Sequence, residues 1–145
     1  DRYEVMLKDA RQNILRLGLS DTIQLIEDDA ANVLPKLTGP YDLVFLDAAK
    51  GQYAQFLPEI LRLLPIGGIL IADDVLQNGD IVRSRFAVPR RQRTIHKRMR
   101  NFLWDISHLS CLTSSILPVG DGVVFCVKTG EYEPKKGEFD DDWEG

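Results

Sequence analysis

Two nearly uninterrupted apolar runs, Tyr41-Asp42-Leu43-Val44-Phe45-Leu46 and Gly68-Ile69-Leu70-Ile71-Ala72, each break off in acid, the first at Asp47 and the second at Asp73-Asp74. Apolar runs without alternation are the pattern of strands covered on both faces, as in a parallel sheet flanked by helices. The segments around them fit that reading. Arg2 onward repeats apolar residues at helical spacing (Val5, Ile14 and Leu17, with Met6, Leu7, Ala10 and Leu15) until Gly18 supplies a left-handed stop. Thr22 to Ile26 alternates like a strand, and Ala30 to Leu37 follows as a short helix with Asp29 as its N-cap and Pro35 late in it. Gly51 to Leu64 is helical and closed by Pro65 and Gly67-Gly68, and Gln92 to Leu109 is a further helix. Leu112 to Leu117 and Val123 to Val127 are closing strands, joined by Pro118-Val119-Gly120-Asp121-Gly122, a link short enough for antiparallel neighbours. The alternation is that of a doubly wound α/β sheet finished by a hairpin.

Composition agrees with a globular domain. Of 145 residues, 44% are hydrophobic and 28% charged, and no apolar run approaches the roughly 20 residues that span a bilayer. With no secretion signal at the first residues, a cytoplasmic, membrane-free protein is expected. Cys111 and Cys126 lie in apolar runs and read as buried free thiols, not as a disulfide or a zinc site.

In open α/β sheets, ligands collect beyond the carboxyl ends of the strands, where Asp28, Asp29, Asp47, Asp73 and Asp74 fall. Each alone reads as a turn former or cap. Together at three strand ends they repel one another, a cost that a bound cation removes. All-oxygen ligands suit Mg²⁺, Mn²⁺ or Ca²⁺. Lys50, three residues after Asp47, reaches the same crevice; near a metal its pKa should fall, making it a candidate general base, whereas away from one it is an ordinary solvated lysine.

The run from Tyr41 through Asp47-Ala48-Ala49-Lys50, then Gly67-Gly68-Ile69-Leu70-Ile71-Ala72-Asp73-Asp74-Val75-Leu76 and Asn78-Gly79, resembles the class I methyltransferases of the catechol and caffeoyl-CoA O-methyltransferase type. The similarity runs from Arg2 to about Lys128. It implies a Rossmann-like fold over residues 1–130, S-adenosylmethionine as cofactor, and a divalent metal, Mg²⁺ first, held by Asp47, Asp73 and Asp74. Asp74 stands where the family usually has Asn, which makes the site more anionic. The resemblance also implies that Lys50 sits by the reacting hydroxyl and that Asp29 and Ala30 lie at the adenine, with Asp47 near the cofactor. Tyr53 is a candidate wall of the cofactor or substrate mouth; Phe56 reads as core.

The fold class further calls for a glycine-rich turn after the first strand and an acid after the second. Neither is in the sequence, so the chain is expected to be a piece of a longer protein lacking the N-terminal strands at the centre of the sheet.

Net charge is −4, yet from Ile81 to Trp104 there is no acid, and eight of the 18 Lys and Arg residues fall there: Arg83, Arg85, Arg90, Arg91, Arg93, Lys97, Arg98 and Arg100. Guanidinium forks match phosphate oxygens, and a basic run also suits a solvated face or an oligomer contact. From Glu131 to Gly145 the sign reverses, reading as an acidic, solvated tail. Ala87-Val88-Pro89-Arg90-Arg91, with Arg93-Thr94-Ile95-His96, Arg98-Met99 and Leu117 to Val123, is similar to a bacterial branch of the family that methylates 5-hydroxyuridine at the tRNA wobble position. That likeness implies a tRNA partner, with Arg83, Arg90, Arg91, Arg93 and Arg98 on its phosphates, and a homodimer is expected. The alternatives are a small-molecule catechol-type enzyme, its arginines at a dimer contact or on an anionic substrate tail, and a non-catalytic binding or dimerisation module.

Overall fold

The computed structural model describes residues 1–133, in two compact units, Asp1–Leu37 and Thr38 onward. The expected acidic tail lies outside the described residues from position 134.

In the first unit, helix α1 (Glu4–Arg16) ends where Gly18 takes φ 67°, so that Leu19 N–H returns to Ile14 O at 3.0 Å. Helix α2 (Ala30–Val33) is a single turn continued by a 3₁₀ turn, Leu34–Lys36, that contains Pro35. Thr22 to Ile26, expected as a strand, forms none. Alternation alone does not make a strand, because the backbone groups need a neighbouring strand to bond. Here Ile23 N–H turns back to Leu19 O at 2.9 Å, and Ile26 O accepts from the Asp1 amino group at 3.0 Å.

The second unit is a four-stranded sheet in the order β1 (Leu43–Leu46), β2 (Ile69–Ala72), β4 (Val123–Lys128), β3 (Leu112–Leu117). β1 and β2 are parallel, with Leu46 opposite Ala72, and β4 runs antiparallel to both β2 and β3. The crossover from β1 to β2 is helix α3 (Tyr53–Leu63), preceded by the 3₁₀ turn Lys50–Gln52, and α4 (Arg93–His108) precedes the hairpin.

The core lies on one face of the sheet. Leu46, Leu70, Ala72, Val124 and Cys126 project from it and are buried. The apolar side of α3 (Phe56, Leu57, Ile60, Leu61) and that of α4 (Met99, Phe102, Ile106) are buried as well, at three- and four-residue spacing. Tyr53 and Phe102 meet edge to face at 5.3 Å, and Ser114 Oγ donates to Ile106 O at 2.9 Å, tying α4 to β3. Lys128, only 5% exposed, turns its ammonium onto Leu61 O (2.9 Å) and Leu64 O (2.8 Å), where the carbonyls at the end of α3 have no partner within the helix.

The opposite face corrects the expectation of two covered faces. Leu43 and Phe45 are 51% and 58% exposed, and Ile69, Ile71, Phe125 and Val127 only half-buried. β1 is one of the two edge strands of this sheet, and the central strands β2 and β4 are only partly covered on this face as well. No helix among the described residues is long and apolar enough to cross a membrane.

Both cysteines are buried and neither forms a disulfide, as expected, and burial pushes the Cys126 thiol up from its ordinary 9.0 to about 12. Below pH 9 the thiol is neutral in folded and unfolded chains alike. Above it only the unfolded chain loses the proton, so this contribution to stability declines from pH 9 and is spent near 12. Native protein at pH 8 should therefore resist alkylation at Cys126 while denatured protein reacts within minutes, a contrast that mass spectrometry reads directly; equal rates would refute the burial.

Candidate functional site

The parallel strands β1 and β2 end side by side, and each hands its chain to acid. Asp73 N–H bonds to Leu46 O at 3.1 Å, extending the ladder one step beyond the strands. Beneath that junction stands Tyr53, fully buried. Its hydroxyl lies 3.1 Å from both Leu46 O and Asp73 O, joining the two strand ends to the start of α3. The Tyr53 ring is thus interior in this structure. Burial raises its pKa, and the neighbouring Lys50 ammonium partly offsets that.

Lys50 enters from the 3₁₀ turn before α3 and its Nζ gathers the site. It lies 3.2 Å from Asp47 Oδ1, 3.1 Å from Asp74 Oδ2, 3.1 Å from Tyr53 Oη and 3.4 Å from Asp73 O. Burial works against its charge, but bonds to Tyr53, Asp74 and Asp47 outweigh it and hold its pKa above the ordinary lysine value. Here the two carboxylates face the ammonium itself, so Lys50 is held as a cation and hydrogen-bond donor between them.

Asp74 is held in an unusual backbone. It takes φ 55°, followed by Gln77 at 51°, Asn78 at 54° and Gly79 at 80°. For residues with a Cβ, that left-handed region costs roughly 1 kcal/mol or more apiece, so something must compensate. The hairpin turn supplies it. Val75 N–H bonds to Gly122 O (3.0 Å), Leu76 N–H to Asp121 O (2.8 Å), and Asn78 N–H to the Asp121 carboxylate. Asp73 Oδ1 accepts from Asp74 N–H at 2.8 Å. Gly122, at φ 84°, packs so closely on Leu76 that a Cβ would overlap it. In the sequence Asp121 and Gly122 read as part of the hairpin link and of the Leu117 to Val123 likeness; only the closure of β4 against β2 brings them here.

Carboxylates converging on one cationic centre are half of what a metal site needs. The other half is missing, since no three His, Cys, Asp or Glu residues among those described stand together as a metal-holding group. Asp73 spends an oxygen on Asp74 N–H, and Lys50 stands between Asp47 and Asp74. As arranged, Asp47 and Asp74 both pair with Lys50.

Asp29 and Ala30 belong to the first unit. Asp29 Oδ1 caps α2 through Ala31 N–H at 2.9 Å, as expected, and its other oxygen pairs with Arg2. Asp28 accepts from Asn32 and from Asp29 N–H, which hold its carboxyl below the ordinary range against a smaller opposing effect of burial.

The basic segment divides. Arg83 pairs with Asp80 at 3.2 Å; Arg93 donates to Val88 O (3.1 Å) and Phe86 O (3.3 Å); Arg98 donates to Gly51 O at 3.3 Å, one residue from Lys50. Arg90 and Arg91 are exposed and have no partner among the described residues. His96, 1% exposed, anchors α4 to the loop after β2 through Nε2 and Asp80 O at 3.0 Å.

This mixed α/β fold is shared with known proteins. Residues 3–129 match the O-methyltransferase family, and the chain belongs to it. It is 30% identical over 136 residues to caffeoyl-CoA O-methyltransferase 3 of Nicotiana tabacum, covering 87% of this chain and 53% of that protein. To a catechol O-methyltransferase of Niastella koreensis it is 33% identical over 87 residues, covering 57% and 39%. Among solved structures, the SAH-bound methyltransferase of Podospora anserina superposes with a TM-score of 0.78 at 27% identity, covering 90% of this chain and 59% of that one. A Staphylococcus aureus structure gives 0.80 at 26%, covering 88% and 62%. The fold is the Rossmann-like methyltransferase fold. The chain spans about half the length of the curated relatives it matches.

Two outcomes follow from the geometry. If the Lys50 ammonium already neutralises Asp47 and Asp74, a divalent cation must displace it, so Lys50→Ala should bind Mg²⁺ more tightly than the native protein in calorimetric titration. Unchanged or weaker binding would show that the lysine and a metal do not compete. Asp121→Ala should lower stability by about 1 kcal/mol in urea unfolding, since the Asn78 N–H loses its acceptor and the left-handed residues lose their tie. Asp121→Asn should recover much of it.

Proposed function

We propose that the protein carrying this chain transfers a methyl group from S-adenosylmethionine to an acidic hydroxyl oxygen, in the cytosol, and that the acceptor is 5-hydroxyuridine in the anticodon loop of a tRNA. Family membership supports the reaction class, and S-adenosylmethionine when bound supplies an electrophilic methyl group. The observation that carries the acceptor end is Lys50. A charged ammonium fixed at the strand ends can hold an ionised acceptor oxygen and fix its direction, which shortens the search for an in-line geometry. A 5-hydroxyl on uracil is more acidic than an alcohol and needs little help to ionise, so a lysine that donates and does not abstract suits it.

The basic segment supports RNA over a small phenol. It begins in the loop that follows Asp74, and Arg98 touches Gly51 beside Lys50, so the positive face adjoins the acceptor site. Asp47, Asp73 and Asp74 are proposed as the ligands of Mg²⁺, or of Mn²⁺ or Ca²⁺, and Asp29 and Ala30 as neighbours of the adenine. A homodimer is part of the proposal, to be read by sedimentation. The second reading, a catechol-type enzyme for small molecules, is favoured by the names of the relatives.

A methylation assay of the full-length protein separates the two readings. Hypomodified tRNA carrying 5-hydroxyuridine should be methylated far faster than catechol, the chelator EDTA should abolish the reaction, and Asp47→Ala or Asp73→Ala should do the same while leaving the circular dichroism spectrum intact. Preference for catechol would replace the RNA reading, and full activity in EDTA would remove the metal.

A further inference from the structure

Phe86 exposes 77% of its surface, although Val88, two residues on, exposes only 2%. The turn that presents it is well tied. Ala87 N–H bonds to Ser84 O at 2.9 Å, and Arg93 grips Val88 O and Phe86 O from the first turn of α4. The ring is therefore held out by an ordered loop, forgoing burial that a side chain of its size would ordinarily gain. Two guanidinium groups attend it: those of Arg85 and Arg93 each lie 5.8 Å from the ring centroid, within cation–π range. Arg93 is fixed by its carbonyl bonds, whereas Arg85 is exposed.

Aromatic rings and guanidinium planes are the surfaces on which unpaired bases stack, and free arginine forks are what phosphates need. Both are here within eight residues. Arg90 and Arg91 are exposed and unpartnered among the described residues, and the Asp80 carboxylate is engaged by Arg83.

We propose that Phe86, with Arg85 and Arg93 beside its ring and Arg90 and Arg91 supplying phosphate contacts, is a stacking site for an unpaired base of a looped or single-stranded RNA. This rests on the RNA reading of the same segment and assigns it unequal parts. Arg83, Arg93 and Arg98 are committed to the protein's own carbonyls and carboxylate, so recognition falls to Phe86 and sequence-independent attraction to Arg85, Arg90 and Arg91.

The test is fluorescence anisotropy of the full-length protein with a labelled RNA hairpin, titrated over a range of salt. Phe86→Ala should weaken binding about ten-fold or more with its salt slope unchanged, because a stacked base carries no counterion. Phe86→Trp should restore it. Arg90→Ala or Arg91→Ala should instead lower the slope by roughly 0.7, one phosphate's worth on a single strand. A hairpin with abasic loop positions should bind native protein and Phe86→Ala alike. Native affinity in Phe86→Ala, or a native preference that survives removal of the bases, would overturn the site. If the hairpin binds as expected but tRNA is not methylated, the stacking site stands and the acceptor assignment falls. Methylation of tRNA with no effect of Phe86→Ala gives the reverse.

Discussion

The Tyr53 hydroxyl is the small contact on which the rest of the site depends. It sits in the core with its single proton in reach of two acceptors, the last carbonyl of β1 and the carbonyl of Asp73 beyond β2, while its oxygen accepts from Lys50. Those bonds set the level at which both strands stop and α3 begins. Lys50, at hydrogen-bond distance from the same hydroxyl, is thereby fixed between carboxylates that come from two different strands. A buried phenol thus converts two strand ends and a helix start into one electrostatic unit.

The hairpin contributes from the other side. β4 lies antiparallel to β2, which puts the Asp121-Gly122 turn level with the residues after Asp74 and lets it bond to Val75, Leu76 and Asn78. A loop with several left-handed residues would not hold by itself. Held in this way, it aims Asp74 at Lys50 and then leads into the basic segment, whose buried Val88 and His96 secure α4 against the loop. Acid, lysine and arginines are consecutive parts of one continuous path, which is why the anionic and cationic surfaces adjoin without cancelling.

Much of this was written in the sequence. The apolar runs at Leu43 to Leu46 and Ile69 to Ala72, the crossover helix with its three- and four-residue repeat, the Asp29 cap, the Gly18 stop and the closing hairpin all follow from periodicity and turn chemistry, which act over a few residues. The acids at the strand ends and Lys50 were legible for the same reason, since a strand that ends in charge must present that charge beyond the sheet. The family was legible from the residues around them.

Partnership was not legible, because it depends on what the folded chain brings alongside. Thr22 to Ile26 alternates like a strand yet has no strand to bond, and Leu43 and Phe45 look doubly buried yet stand on an edge. Tyr53 reads as a surface aromatic near a mouth and is the most enclosed polar group of the site. Five arginines read alike, but three of them spend their donors on the protein, while Phe86, one more apolar residue in the string, is the ring left in the open. Sequence determined which groups carry charge and where the chain turns, because those are local properties. Tertiary structure decided which charges meet, which are already satisfied, and therefore which remain to bind anything else.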